Sequence, residues 1–219
     1  MTLANGMILG AMVQLDRAEL TTRASASVEG TGWLVGPYVA GQIRDQPLYF
    51  EGRLLYGQTS NTLHLPGVAA DEFEGSRWLA MFALQGEFAT EYATYMPVFT
   101  LTHAVDMQDA YTDSFNTLVP EQRVSLTEVS LGTNVEIPLA VSEGTLVLTG
   151  GGQLILSDYR GNNTASAYIT ETDDLRGRVD LGFRYNNGRG LVASASGFLD
   201  GIGANITTTG LNAQFELSY

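Results

Sequence analysis

The chain has no cysteine and only two histidines among its 219 residues. Without cysteine it can form neither a disulfide framework nor a cysteine-based metal site or nucleophile. Lysine is also absent: all 11 basic residues are arginine, against 24 acidic residues and a formal charge of -13. Because no basic surface is available to neutralise phosphates, this balance argues against nucleic acid as a partner.

Long apolar runs are missing as well. No stretch of about 18 apolar residues occurs, which excludes a transmembrane helix. The N-terminal MTLANGMILGAMVQLD has no positively charged start and no small-residue cleavage site, and its apolar residues alternate with others. It therefore predicts a strand and not a signal peptide. A chain of this length fits one all-β domain, which we expect to span residues 1–219.

A period of two runs through the whole chain, and helical spacing occurs almost nowhere. In PLYFEGRLLYG the apolar positions from Leu48 to Tyr56 oppose Glu51 and Arg53. In LRGRVDLGFRY, Leu175, Val179, Leu181, Phe183 and Tyr185 oppose three arginines and an aspartate, namely Arg176, Arg178, Asp180 and Arg184. Each of these strands has one apolar face and one charged face.

About ten such strands are joined alternately by short turns and long loops. Short turns are predicted near 45–46, 90–91, 142–143 and 186–188. Long loops are predicted near 23–31, 58–76, 108–123, 160–174 and 200–206, the second of these being acidic. Outer-membrane barrels have this layout, with short periplasmic turns and long external loops. The pattern predicts an all-β, transmembrane, antiparallel up-and-down β-barrel.

A soluble β-sandwich is the main alternative, since alternation alone fits both folds. Aromatic residues near strand ends favour the barrel, because they form girdles at membrane interfaces. The charged faces also carry mixed signs, Glu51 with Arg53 and Arg178 with Asp180, which suits a hydrated lumen. Arginine facing lipid near mid-membrane costs about 2–4 kcal/mol. We therefore expect the pore lining to consist of Glu51, Arg53, Arg176, Arg178, Asp180, Arg184 and Glu216.

Signals for chemistry are weak. His103, Asp106 and Ser114 are close in sequence, but no nucleophile elbow, zinc-protease motif or phosphate-binding loop appears. Acidic clusters at Asp71, Glu72 and Glu74, and at Asp173 and Asp174, could bind calcium, although a solvated acidic loop is the simpler interpretation. No catalytic residue, metal site or cofactor is predicted.

The chain ends in LNAQFELSY, an alternating strand that stops on an aromatic residue. It resembles the C-terminal signature of outer-membrane barrels, which the barrel-assembly machinery reads. Together with GWLVGPYVAGQI, LYFEGRLLYGQTSN, SRWLAMFALQGEF and PVFTLTHAVDMQDAYTDS, in this order and spacing, it makes the whole chain similar to the β-domain of autotransporters (type V secretion). The resemblance assigns the assembly signal to Leu211, Phe215, Leu217 and Tyr219.

This resemblance implies an outer-membrane barrel of about twelve strands in a Gram-negative bacterium, with a helix through the lumen that leads to a passenger. Only about ten strands are visible here, and no lumen helix precedes Leu3. We expect one N-terminal hairpin, the helix and the passenger to lie outside this chain. The implied partners are outer-membrane lipid and lipopolysaccharide, the assembly machinery and the passenger.

Three functions remain open at this point. The first is a translocator barrel that anchors and exports a passenger. The second is a stand-alone porin-like or adhesin-like barrel. The third is a barrel hydrolase, which requires His103 to converge with an acid or a nucleophile at the outer rim.

Overall fold

The structure, a computed structural model, describes residues 6–21, 27–163, 165–168 and 174–217. These residues form thirteen β-strands and one helical turn of four residues. No helix among them is long and apolar enough to cross a membrane. The elements are β1 (Ile8–Thr21), β2 (Ser27–Gln42), β3 (Leu48–His64), β4 (Asp71–Gly86), β5 (Phe88–Ala89), β6 (Thr94–Gln108), β7 (Tyr111–Thr112), β8 (Leu118–Val119), β9 (Gln122–Ala140), β10 (Thr145–Gly161), α1 (Ala165–Tyr168), β11 (Leu175–Asn186), β12 (Leu191–Ile202) and β13 (Thr208–Leu217).

Ten long strands form one antiparallel sheet in the order β1-β2-β3-β4-β6-β9-β10-β11-β12-β13. Each long strand pairs with the next one along the chain, which confirms the predicted up-and-down topology and the number of strands. The short β5 adds to β6, and β7 and β8 form a separate hairpin. Within the described part of the chain, no ladder joins β1 to β13.

The predicted alternation of short turns and long loops holds only in part. At one end of the strands the connections are 43–47, 87–93, 141–144 and 187–190, of four to seven residues. At the other end, 109–121 and 162–174 are long, but 22–26, 65–70 and 203–207 span only five or six residues. Asp45, Gly144 and Gly188 have φ of 59°, 91° and 68°, a conformation that reverses the chain within a few residues. We call the end of the strands with connections 43–47, 87–93, 141–144 and 187–190 the short-turn end, and the opposite end the long-loop end.

The predicted loops at 23–31 and 58–76 are too long. Residues 27–31 belong to β2, and the second connection shrinks to 65–70 because β3 and β4 continue pairing as far as Leu63 opposite Asp71. In this extension both faces are polar, as the run Gln58, Thr59, Ser60 illustrates. Alternation between apolar and polar residues is therefore lost although the strand persists.

The sheet has one apolar and one polar face, since residues directly opposite in an antiparallel pair point to the same side. The apolar face is exposed: Leu15, Leu181 and Leu211 are 78%, 73% and 94% accessible. Along β3 it runs from Leu48 to Tyr56, about 27 Å of strand. At a tilt of about 40° this is about 20 Å, close to the apolar band of outer-membrane barrels.

Aromatic rings mark the limit of this band on the side of the long-loop end. Trp33, Tyr56 and Trp78 lie side by side on β2, β3 and β4, with ring centroids 6.4 Å and 4.7 Å apart. Beyond them, toward the long-loop end, the same face becomes polar. Tryptophan and tyrosine prefer the interface between lipid and water. The cluster therefore has the position of an interfacial girdle, as the sequence predicts.

Few side chains are fully buried, and most of the apolar ones lie on the polar face. Leu34, Leu55 and Ile155 are 5%, 0% and 4% exposed, and all three point to the same side as the charged residues. The core is therefore a thin layer inside the curl of the sheet. It is not sandwiched between two sheets, as a soluble β-sandwich requires.

Candidate functional site

Charged side chains from most of the long strands share the polar face. The strand registers connect them: Arg77 lies opposite Asp106, Thr102 opposite Glu128, and Arg178 opposite Asp200. All seven residues predicted from the sequence lie on this face. Among the described residues the strands contribute Asp16, Glu51, Arg53, Asp71, Arg77, Asp106, Glu128, Glu136, Arg176, Arg178, Asp180, Arg184, Asp200 and Glu216.

Ion pairs between distant strands indicate that the polar face is concave. Arg77 Nη1 of β4 lies 2.9 Å from Asp16 Oδ2 of β1, although β2 and β3 separate these strands. In a flat sheet three strand intervals measure about 14 Å, which exceeds the reach of the two side chains. The sheet must therefore curl toward its polar face at β1–β4.

Ion pairs also connect strands β9–β12 on the polar face. Arg176 Nη2 of β11 reaches across β10 to Glu128 Oε2 of β9 at 2.8 Å. Its Nε donates to Asp200 Oδ1 at 3.0 Å and its Nη1 to Ser157 Oγ at 2.6 Å. The Ser157 hydroxyl in turn donates to Glu128 at 3.2 Å. Each of the three guanidinium nitrogens of Arg176 thus has a partner.

We call Glu128, Ser157, Arg176, Arg178 and Asp200 the arginine cluster. Arg178 Nη1 lies 3.6 Å from Asp200 Oδ2, and its guanidinium carbon is 4.1 Å from the centre of the Phe198 ring. The Arg176, Glu128 and Asp200 side chains are 23%, 27% and 19% exposed, and Ser157 is buried. Charge-assisted bonds at this depth are stronger than surface pairs and fix the relative positions of four strands.

Arg77 forms a second bridge on the opposite wall. Its Nε donates to Asp106 Oδ2 at 2.8 Å, while its Nη1 contacts Asp16. About a third of the Arg77 side chain is exposed. The bridge ties β1 to β6 across the inside of the curl, which no backbone ladder does.

The remaining predicted residues make looser contacts. Arg53 and Glu51 are 4.0 Å apart and Arg184 and Glu136 are 3.4 Å apart, all partly hydrated. Pairs of this kind contribute little to stability. Glu216 lies on the exposed last strand.

Arg178 and Asp180 share the charged face of β11, but Arg178 pairs with Asp200 of the neighbouring strand. Residues two apart on one strand are about 7 Å apart, whereas the residue directly opposite on the next strand is about 5 Å away. The Asp180 carboxylate leans toward Gly151, where a Cβ would come within 3.0 Å of it.

The predicted assembly signal lies on the apolar face of β13. Leu211, Phe215 and Leu217 are 94%, 76% and 63% exposed. Tyr219 lies outside the described residues. The sequence therefore placed this face of the last strand correctly wherever the structure describes it.

The candidate hydrolase residues do not assemble. His103 lies on the apolar face, where its Nδ1 is 2.9 Å from Thr127 Oγ1, while Asp106 lies on the polar face and contacts Arg77. Ser114 lies in the 109–121 connection, where its backbone N–H donates to Asp71. Two side chains on opposite faces of one strand cannot act on the same substrate atom.

The acidic clusters do not converge either. Asp71 points to the polar face of β4, whereas Glu72 and Glu74 both point to the opposite face. No group of three potential metal ligands occurs among the described residues. Asp173 lies outside the described residues, so the interpretation of Asp173 and Asp174 as part of a solvated acidic loop stays a prediction.

Sequence reasoning missed seven partners in these networks, namely Asp16, Arg77, Asp106, Glu128, Glu136, Ser157 and Asp200. Their charge or polarity on the polar side of each alternating strand was visible. The contacts between them could not be predicted, because Asp16 and Arg77 are 61 residues apart in the sequence and Glu128 and Arg176 are 48 residues apart.

The sequence matches no protein-family model and no curated protein. Among solved structures, the chain is similar to the β domain of the Bordetella autotransporter BrkA. The TM-score is 0.63 at 16% sequence identity, and the alignment covers 100% of this chain and 86% of that one. At this identity the similarity concerns the fold. The chain therefore has the all-β, up-and-down fold of an autotransporter β domain, as the resemblance in its sequence predicts.

Proposed function

We propose that this chain is the translocator and anchor barrel of an autotransporter in the outer membrane of a Gram-negative bacterium. In this role it supports the export or surface display of an N-terminal passenger. One observation carries the proposal: the charged face curls inward at β1–β4, whereas the opposite face is apolar and exposed. In water this arrangement would leave a broad apolar belt unsatisfied, and in a bilayer it is favourable on both faces.

The proposed lumen lining comprises Glu51, Arg53, Arg176, Arg178, Asp180, Arg184 and Glu216. A wall of mixed charge keeps water inside the barrel and offers no continuous apolar surface to a passing chain. An unfolded segment could therefore move through without strong adsorption. The carboxylates that hold Arg176 and Arg77 keep these long side chains against the wall.

The proposed membrane partners follow from the apolar face. Outer-membrane lipid would contact the apolar band below the Trp33–Tyr56–Trp78 girdle, and lipopolysaccharide headgroups would contact the polar strand extensions above it. The barrel-assembly machinery would read Leu211, Phe215, Leu217 and Tyr219. The hairpin, lumen helix and passenger expected outside this chain stay predictions.

The first experiment is to refold the chain into detergent and planar bilayers. A heat-modifiable band on a gel together with stable single-channel steps would support a membrane barrel with a hydrated lumen. A detergent-independent, soluble, non-conducting fold would refute the proposal and favour a sandwich.

A second experiment separates a translocator from a stand-alone porin-like barrel. An epitope tag fused upstream of the chain, behind a signal peptide, should become accessible to external protease in intact cells. The matched control is the same fusion carrying Leu181→Arg, which should not assemble. A barrel that conducts ions but leaves the tag protected would favour the porin-like function.

A further inference from the structure

The connection between β6 and β9, residues 109–121, is a structured hairpin. Asp113 organises its turn: its Oδ1 accepts from the backbone N–H groups of Phe115 and Thr117, at 3.0 Å and 2.8 Å. Asn116 has φ of 58°, which asparagine tolerates in such turns. The strands β7 and β8 pair on either side. The hairpin is therefore held together by contacts of its own.

Two contacts locate this hairpin on the concave side of the sheet. The Tyr111 ring stacks on Phe73 of β4, with centroids 5.0 Å apart and planes 18° apart. The Ser114 N–H donates to Asp71 Oδ1 at 2.6 Å. Asp71 and Phe73 are two residues apart in a strand and in phase with Arg77, so all three point inward.

Asp71 is closed off by the contact with Ser114. It is 6% exposed at the start of β4, where a strand end at the mouth of a barrel would otherwise be open to water. Meanwhile Phe115 and Leu118, in the same hairpin, are 63% and 69% exposed. The hairpin is thus held from the β4 side and its outer residues remain uncovered.

Both roots of the hairpin are also fixed. Asp109 N–H donates to the Glu74 carbonyl at 2.9 Å. At the other root, the Asn163 side chain donates to the Glu121 carbonyl at 2.7 Å, and the Arg123 N–H donates to Asn162 Oδ1 at 2.6 Å. The hairpin is therefore coupled to the next long connection, at 162–174.

We propose that residues 109–121 form a lid that lies inside the external mouth of the lumen, and that wide opening of the mouth requires release of Asp71 and Phe73. This inference rests on the proposed translocator function. A two-stranded hairpin is about 10 Å across with its side chains, so it covers a substantial part of the opening. Apart from the Asp109–Glu74 bond at its base, the contacts seen between the described residues of the hairpin and β4 are Tyr111 on Phe73 and Ser114 with Asp71, and so few contacts make reversible release feasible.

The first test is cross-linking, for which the absence of cysteine gives a clean background. In the variant Phe73→Cys/Tyr111→Cys, a short thiol cross-linker should join the two positions in the assembled barrel. The matched control is Glu72→Cys/Tyr111→Cys, one residue away on the opposite face of β4. Equal cross-linking of both pairs, or cross-linking of the control alone, would refute the lumen-side position.

The second test is single-channel recording of the double variant Asp71→Ala/Phe73→Ala. Release of the lid should raise the conductance about two-fold, because the hairpin no longer covers part of the mouth. Glu72→Ala, which removes a neighbouring charge on the outer face, should leave the conductance unchanged. Heat-modifiable migration identifies variants that fail to assemble. If the double alanine variant fails, the conductance of Phe73→Cys/Tyr111→Cys is compared before and after a reducible cross-link is cleaved.

The outcomes are distinguishable from those for the proposed function. An assembled, conducting barrel whose conductance is insensitive to both lid contacts and to the cross-link refutes the lid alone. Absence of conductance in every form, including the unmodified chain, refutes the translocator barrel. Conductance that rises in the double variant and falls on cross-linking supports the lid.

Discussion

Replacing Leu181 by arginine tests which face of the sheet meets lipid. Leu181 lies on the apolar face, near the middle of β11, and is 73% exposed. Its two cross-strand neighbours are Gly150 and Gly197. Because glycine offers no side chain to cover it, a guanidinium introduced there would sit in the hydrocarbon.

The expected cost is a substantial fraction of the stability of a typical domain, which is about 5–15 kcal/mol. Arginine at the bilayer midplane costs about 2–4 kcal/mol, which corresponds to a reduction of about 30- to 900-fold in the equilibrium population of assembled protein. Val179→Arg, on the same face, should behave alike. The matched change is Arg178→Ser, on the same strand but on the polar face. It removes a 3.6 Å contact with Asp200 and a contact with the Phe198 ring, which together contribute about 1 kcal/mol or less at this exposure.

The assay is urea titration of folding into lipid vesicles, followed by heat-modifiable migration on a gel. Leu181→Arg should shift the midpoint strongly or abolish assembly, and Arg178→Ser should shift it little. Equal tolerance at the two positions would refute the assignment of the apolar face to lipid. Greater sensitivity at Arg178 would reverse the assignment.

Three further predictions concern particular side chains. Arg176→Met should lower the free energy of unfolding by about 2–3 kcal/mol, because the largely buried Glu128 loses its counter-charge and Asp200 keeps only its longer contact with Arg178. Arg160→Met replaces a largely exposed arginine and should change the free energy of unfolding little in the same urea titration. Desolvation, with help from Asp71 and Asp113, raises the pKa of Tyr111 above its ordinary value of 10.0, so the stability of the lid should be complete below pH 10 and fall as pH rises through the raised pKa. Conductance should then increase at alkaline pH, and Tyr111→Phe should weaken that dependence; identical pH profiles would contradict the role of this ring. Phe215→Ala should reduce insertion into the outer membrane in cells, whereas the neighbouring Gln214→Ala should not, as measured by the amount of heat-modifiable protein in membrane fractions. Equal effects would argue against recognition of the apolar face of β13 by the assembly machinery.

Strand identity and the direction of each face were predictable because both are local. In β11 the alternation from Leu175 to Tyr185 assigns every side chain to a face without knowledge of the neighbours. The same rule failed at 58–64 and 71–76, where both faces are polar outside the apolar band. Strand length there is decided by pairing between β3 and β4, and the pattern of one strand cannot reveal it.

Ion-pair partners could not be predicted from one strand. Glu51 with Arg53 is a pair along a strand and was expected, but it is also the loosest of those seen on the polar face. The tighter contacts of Arg176 and Arg77 join residues that are far apart in sequence. They depend on register and on curvature, and both follow from how all the strands twist together.

The lid contacts illustrate the same limit. A hairpin at 111–119 is encoded by Asp113 and Asn116, whose side chain and backbone favour the turn. Nothing in that segment indicates that Tyr111 will meet Phe73, or that Ser114 will meet Asp71.

By itself, the sequence determined that this protein is a meander of amphipathic strands with arginine and carboxylate on one face, because side-chain alternation is a property of the extended chain. Only the tertiary structure decided which charges meet, how far the strands extend beyond the apolar band and on which side the 109–121 hairpin lies. Those features depend on cross-strand register and on the curl of the sheet, which bring together side chains that no local pattern connects.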